Sequence, residues 1–496
     1  MKSICFKFVV WLCSGACAFS IALAEEETDM AALLAKFNRL YATKQFSKAA
    51  PVAEKILQIR EESQGPESRG TAAAANNLAE VYRYMGQYAK AEPLYQRALK
   101  IREKAFGRDN PRTAFTLNDL AALYVAEDEY TKAETLFQRA LKIREKSLGA
   151  DHPDTAVTMQ NLAALYRNMG QYGKAERLFQ RALAVTERAS GPDHPNTAWI
   201  VNNIGTVYHA MGKYSEAESY FQRALKIREK VLGPDHPDVG ATLSGLAAVY
   251  QDTGDYAKAE ELYKRAQKIA EKAHGPESLA ASSSMHELAT LYFHQRDYAK
   301  AEPLYQRALA ISEKAAGPDS TDTAATLDSL GAVYDRMGQY AKAEPLELRA
   351  LKIYEKALGP DHPDTAKAVA NLARLYCDKG EFAKAEPLQL RALKIDEKSL
   401  GPEHLDTAKN LIDLGNLYQE TGQYAKAEPL YKRALKIREK ILGPDHRTVA
   451  ECLDELAALY WAKGESAKAE PLSQRAAGIR TRIKEERPPA AKPPSP

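Results

Sequence analysis

Cysteine is scarce. The 496-residue chain has five, and three of them, Cys5, Cys13 and Cys17, lie in the first 17 residues. The other two, Cys377 and Cys452, fall in different segments of a regular repeat. Stacked repeats separate such positions beyond the ~7 Å Cα limit for a bridge, so two free thiols are expected. Charge of one sign is also scarce: 69 basic residues face 66 acidic ones, a formal net charge of +3. This balance excludes nucleic acid or acidic membrane as a partner of the chain as a whole. Past residue 24 no run is long and apolar enough to cross a bilayer. Nucleotide and hydrolase signatures (GxxxxGK[ST], GxGxxG after a strand, GxSxG) are missing. His286-Glu287 opens an HExxH-like string, but Thr290 stands where the second ligand belongs. No catalytic residue, cofactor or metal is expected.

Residues 1–24 differ from the rest. MKSICFK carries two lysines, FVVWLCSGACAFSIALA is apolar and small, and EEE follows. This is the layout of a secretory leader with Ala22-Leu23-Ala24 as its cleavage site. An uncleaved anchor and lipid processing at Ser14-Gly15-Ala16-Cys17 are the alternatives. The mature chain, at net charge +1 without Lys2 and Lys7, is expected to be exported, periplasmic or extracellular, with no integral membrane segment.

What is abundant is one pattern. TAAAANNLAEVYRYMGQYAKAEPLYQRALKIREKAFGRDNPR, residues 71–112, recurs every 42 residues without insertion or deletion. The copies are 71–112, 113–154, 155–196, 197–238, 239–280, 281–322, 323–364, 365–406, 407–448 and 449–490, the last acting as a cap. Residues 25–70 are a degenerate N-terminal copy, and 485–496 a disordered, proline-rich tail. A period of this size means a stack of small units.

Each copy holds two helical patterns. Ala75, Leu78, Ala79 and Tyr82 form one stripe, broken at Gly86. Ala91, Leu94, Tyr95, Ala98 and Leu99 form the next, with Pro93 near the start of that helix. Gly-Pro-Asp-His-Pro-Asp then stops the copy, and its Asp-x-x-Asp can cap the next helix. Tyr82, Ala91, Arg97 and Ala98 are invariant among the ten copies. Paired alanines let two helices approach closely, the tyrosine ring fills the space beside them, and Arg97 is read as salt bridging or stem packing within the stack. At Glu347-Leu348 and Gln389-Leu390 the apolar residue has moved one place along, so a repacked second helix is expected there. The junction histidines (His152, His194, His236, His362, His404, His446) stand one copy apart and are read as turn and cap elements.

Leu78-Ala79, Tyr82, Gly86, Ala91, Tyr95 and Ala98 resemble the tetratricopeptide repeat. The 42-residue period with AEPLYQRALKIREK and LGPDHPD is similar to the longer variant of kinesin light chains and their bacterial relatives. The resemblance covers 71–490. It implies an all-α, right-handed superhelical solenoid of antiparallel helix pairs, with first helices lining the concave side. It does not by itself imply kinesin association, and the leader speaks against cytoplasmic cargo binding.

Positions that packing leaves free on the first helix are Ala73, Asn77, Glu80 and Tyr84, with Asn76 and Arg83 beside them. Asparagine recurs there, at Asn76, Asn118 and Asn202 and at the neighbouring Asn77, Asn161, Asn203 and Asn371. Its amide can pair with the backbone of an extended peptide whatever the sequence; the alternative is hydrogen bonding between helices. Phe115, Trp199, Tyr84, Phe293 and Trp461 offer aromatic anchors, and Arg83, Arg167, Lys367, Arg374 and Lys409 offer positive charge. Lys367, Asn371, Arg374, Lys409 and Asn416 partly match the carboxylate clamps of the family, with ordinary solvated charge as the alternative. The chain is therefore expected to be a non-enzymatic scaffold for a protein or peptide partner. The alternative is a structural component of a cell-envelope assembly.

Overall fold

The computed structural model describes residues 30–485; the leader and the residues after 485 lie outside them. Among the described residues every regular element is a helix. The described residues form two compact units, the first ending at Leu165 and the second beginning at Tyr166.

The first unit contains α1 (30–42), α2 (Phe46–Gln64), α3 (Arg69–Tyr84), α4 (Tyr88–Phe106), α5 (Pro111–Ala126), α6 (Tyr130–Leu148) and most of α7 (Pro153–Asn168). The second continues with α8 (Tyr172–Ser190), α9 (Pro195–Ala210), α10 (Tyr214–Leu232), α11 (Pro237–Thr253), α12 (Tyr256–His274), α13 (Leu279–His294) and α14 (Tyr298–Ala315). It ends with α15 (Thr321–Arg336), α16 (Tyr340–Ala357), α17 (Pro363–Asp378), α18 (Phe382–Ser399), α19 (Leu405–Glu420), α20 (Tyr424–Leu442), α21 (Arg447–Ala462) and α22 (Ser466–Glu485). Odd helices are the first of each pair and even ones the second. First helices begin two residues ahead of the copies as counted from Thr71. The degenerate N-terminal copy keeps the pair, as α1 and α2.

Each pair is held by its small residues. Ala91, Ala98 and their equivalents are at most 3% exposed, so the two backbones lie close and Leu, Val and Tyr fill the flanks. The turn inside a pair needs a left-handed residue, as at Gly86 (φ 69°); Lys44, Asp128 and Arg296 take that conformation without being glycine. Pro93 lies in the second turn of α4, deeper than the sequence suggests, on its exposed outer face.

Between pairs, four side chains recur. The opening threonine of a copy donates to the glycine carbonyl of the preceding loop, Thr113 to Gly107 at 2.9 Å and Thr365 to Gly359 at 2.8 Å. The invariant tyrosine donates to a glutamate of the previous second helix, Tyr124 to Glu92 at 2.7 Å and Tyr376 to Glu344 at 3.0 Å. The invariant arginine reaches back in the same way, Arg139 to Glu103 at 2.7 Å and Arg433 to Glu397 at 2.6 Å. The junction histidine is itself the N-cap: the Nδ1 of His236 accepts from Asp238 N at 3.1 Å, and that of His404 from Asp406 N at 3.1 Å. Ser68, Asn110, Ser278 and Ser320 do the same in the other copies. The cap is thus the residue between the two aspartates rather than the aspartates.

One expectation is overturned. The second helices at 347 and 389 are not rotated to bury the displaced leucines. Glu347 (0% exposed) and Gln389 (2%) stay in the aromatic position, and Leu348 and Leu390 remain 45% exposed. The paired alanines and the tyrosine–glutamate bond hold the helix in register, which outweighs burying one leucine, worth about 2 kcal/mol.

Candidate functional site

Curvature identifies the inner face. In the first unit α3 touches α5, and in the second α9, α11, α13, α15, α17, α19 and α21 touch in succession; successive second helices make less contact with each other. The row of first helices is therefore the inside of the bend.

The asparagines on this row are engaged. Asn76 is 1% exposed; it donates to Asp119 Oδ2 at 2.8 Å and accepts from Thr116 Oγ1 at 3.1 Å. Asn161 donates to Asn118 Oδ1 at 3.2 Å. Asn203 accepts from Arg167 at 2.6 Å and donates to the Trp199 carbonyl at 2.8 Å. Asn202 meets Arg228 at 3.4 Å. Asn77 and Asn371 are half-buried. The contacts Asn76–Asp119 and Asn118–Asn161 join positions 43 residues apart, as do Ser244–Glu287 and His286–Ser329. This ladder ties one first helix to the next. Sequence reading compared equal positions, at 42, and missed complementary pairs at 43. The ladder also accounts for the HExxH-like string, since His286 and Glu287 are used as rungs.

Tyr84 is 49% exposed but stacks on Phe46 at 4.7 Å, and Arg83 lies over the Tyr84 ring at 4.3 Å. Of the first-helix aromatics, Phe115 (46%), Trp199 (38%) and Trp461 (49%) are also exposed, with Arg102 5.3 Å over the Phe115 ring and Phe179 edge-on to Trp199 at 6.2 Å.

The expected positive patch is not positive. Arg374 pairs with Asp335 and lies 3.7 Å from Asp378. Lys367 donates to Asp364 at 3.1 Å, and Asn416 accepts from Tyr431 at 2.5 Å; Lys409 is exposed and lies close enough to lower the pKa of Asp396. Two of the acids, Asp364 and Asp378, lie on α17 itself, and the others come from neighbouring helices, Asp335 from α15 and Asp396 from α18. Burial pushes the Glu347 carboxyl up to about 8, Asp328 to about 7 and Asp396 to about 7. Arg374 opposes the shift at Glu347, and Asp328, Asp335 and Asp378 add to it. One signal was visible in advance: Glu347 and Gln389 replace aromatics of the other copies.

The second unit also winds back on itself. Arg447 at the start of α21 donates to the Asp252 carbonyl near the end of α11 at 3.1 Å. Here a cavity of about 430 Å³ is lined by His209, Tyr214, Asp252, His294, His446 and Arg447 among others, with His209 Nε2 2.9 Å from Asp252. Burial, and then Arg438, push His446 down to about 4. Among the described residues no group of three or more His, Cys, Asp or Glu is arranged to hold a metal, and no helix is long and apolar enough to cross a membrane. Cys377 and Cys452 are free thiols, and burial raises them to about 12 and about 11, so neither is an activated nucleophile.

A tetratricopeptide repeat profile matches residues 38–104, 70–146, 112–185, 158–230, 200–272, 238–314, 280–356, 348–398, 364–440 and 413–482. No curated protein matches the chain. Solved structures similar to it include BtubC (BKLC) from P. vanneervenii, 25% identical, covering 49% of this chain and 94% of its own, with a TM-score of 0.38. A Podosopora anserina protein of kinesin light chain type, with nearly identical TPR-like repeats, is 25% identical over 42% of this chain and 99% of its own, with a TM-score of 0.38. A Rap protein complexed with competence and sporulation factor is 17% identical, covers 75% of this chain and 98% of its own, and has a TM-score of 0.51; it shares the fold.

Proposed function

The chain belongs to the tetratricopeptide repeat family, and from that premise we propose that it is a non-enzymatic scaffold holding an extended segment of a partner protein against its first helices. The observation that carries this reading is the division of labour within a copy. Tyr82, Ala91, Arg97 and Ala98 are spent on stacking in every copy. Position 115 and its equivalents differ and stay open, as Phe115 (46% exposed), Val157 (43%) and Trp199 (38%). Open apolar side chains on first helices, with Phe115 as the aromatic of the first unit and Trp199 as one of the second, suit side chains of an extended chain, and aromatic anchors dominate binding energy. The lysine-bearing apolar leader supports export as part of the same reading, with a mature N terminus at Glu25.

A photo-crosslinking residue placed at Phe115 or Trp199 is expected to capture a partner from an extract of the exported fraction. The same residue at the exposed Lys100 of α4 is expected to capture little. Equal yield from all three positions overturns the inner-face assignment. A chain that stays in the cytoplasm with residues 1–24 attached overturns export.

A further inference from the structure

Four carboxylate oxygens on α15 and α16 are buried without a hydrogen-bond partner: Asp328 Oδ1, Asp335 Oδ1, and both Oε1 and Oε2 of Glu347, whose carboxyl feels the charges of Asp328, Asp335 and Asp378. Asp328 is 8% exposed, and Glu347 is 0% exposed. Glu347 comes up from the second helix beneath this face, and the site makes room for it. A Cβ on Gly331 of α15 would lie 2.8 Å from the Glu347 Cγ. Other copies mostly put an aromatic at this place and pack it dry. On the rim stand Asp378, whose side chain is 36% exposed, and Arg374, 27% exposed, which is the cation that Asp335 already holds. Arg336 lies 3.7 Å from Asp378. Four acids thus share two guanidinium groups. Once these acids are ionised, which for Glu347 is above about pH 8, acceptors outnumber donors, and the excess lies on the buried side.

We propose that the inner face at α15–α17 receives an arginine or lysine side chain of the extended partner segment, with Asp328, Asp335, Glu347 and Asp378 as its acceptors. Guanidinium and ammonium groups bring donors and no acceptors, which is the complement of this cluster. The incoming cation takes carboxylate oxygens that Arg374 leaves unmatched. The partner chemistry is therefore cationic, opposite to the carboxylate ligand expected from Lys367, Arg374 and Lys409. This inference rests on the scaffold reading.

The test uses the full chain and labelled peptides of alanine and serine carrying two arginines, two glutamines or two glutamates, read by fluorescence anisotropy. The arginine peptide is expected to bind about tenfold more tightly than the glutamine one, and to lose that advantage as salt rises. Glu347→Tyr restores the residue of other copies and should reduce the arginine preference about fivefold, with the fold intact by circular dichroism. Gln389→Tyr makes the same restoration without removing an acid and should leave the preference unchanged. Equal binding of the arginine and glutamine peptides, no binding of any peptide, or an unchanged preference in Glu347→Tyr overturns the cationic assignment. If Phe115 and Trp199 still crosslink a partner in that case, the scaffold reading stands without it.

Discussion

Between residues 71 and 154 the second helices bury Tyr95 and Phe137, and Arg102 and Arg144 bond to the next first helix, at Thr116 (2.5 Å) and Thr158 (2.7 Å). Between 323 and 406 the same places hold Glu347 and Gln389, and Tyr354 and Asp396. Both regions keep the paired alanines, the tyrosine–glutamate bond and the arginine ladder, and both stack as helix pairs. The frame therefore tolerates polar and acidic side chains, Glu347, Gln389 and Asp396, where the first region buries aromatic and cationic ones. Stability and surface chemistry are carried by separate residues in a 42-residue copy. Because the helix pairs of these two regions pack mainly against the pairs next to them, a local cost need not spread.

The comparison is broken most strongly at the aromatic position. Phe137→Ala should cost about 3–5 kcal/mol, by loss of a ring 1% exposed. Gln389→Ala should cost well under half of that. Hydrogen exchange of α5–α6 and of α17–α18 measures each locally, and equal losses would show that the two positions are equivalent after all.

The next effect is electrostatic and separates the regions by pH. The carboxyl of Glu347 is raised from 4.5 to about 8 by burial. Its protonated form is favoured by folding, so its stabilising contribution is complete below 4.5 and is lost as pH rises through about 8. Asp119, in the aromatic region, is raised only to about 6. Protection of α15–α17, corrected for intrinsic exchange, should fall by about 1–3 kcal/mol over that range. Glu347→Gln should flatten the profile; an unaltered profile assigns the effect to another group.

The cap at His446 responds in the opposite sense. His446 is lowered from 6.5 to about 4, and its Nδ1 accepts the Thr448 N–H at 3.1 Å, which only an unprotonated Nδ1 can do. Its contribution is complete above 6.5 and is lost as pH falls towards 4. Loss of the cap is worth about 1 kcal/mol at the start of α21. His446→Asn should keep the cap and remove the acid sensitivity, as measured by exchange of the α21 amides.

The smallest effect concerns the turn inside a pair. Arg296 holds φ 62° where most copies have glycine. Arg296→Gly should stabilise α13–α14 by up to about 1 kcal/mol; destabilisation would mean that the arginine side chain contributes more than the backbone strain costs.

Much of this frame was legible because it repeats. Ala91, Ala98, Tyr82, Gly86 and Arg97 recur at fixed spacing, and ten copies average away everything that is not packing. The hydroxyl partner of the invariant tyrosine was not legible, since Glu54 meets Tyr82 and Glu92 meets Tyr124 only when pairs stack. The Asn76 ladder was missed for a similar reason, its partner lying 43 residues on rather than 42.

By itself the sequence determined the helix pairs, their number and the row of first helices, because periodicity and small-residue spacing are local properties of the chain. Only the tertiary structure decided what that row presents. Arg374 reads as a positive charge with Asp378 one turn on, and only stacking brings Asp335 of α15 against it and Glu347 of α16 within its field. Glu347 reads as a misplaced polar residue, yet the frame holds it at 0% exposure. Electrostatics depends on distances across helices and on exclusion of water, and neither is set until the copies have stacked.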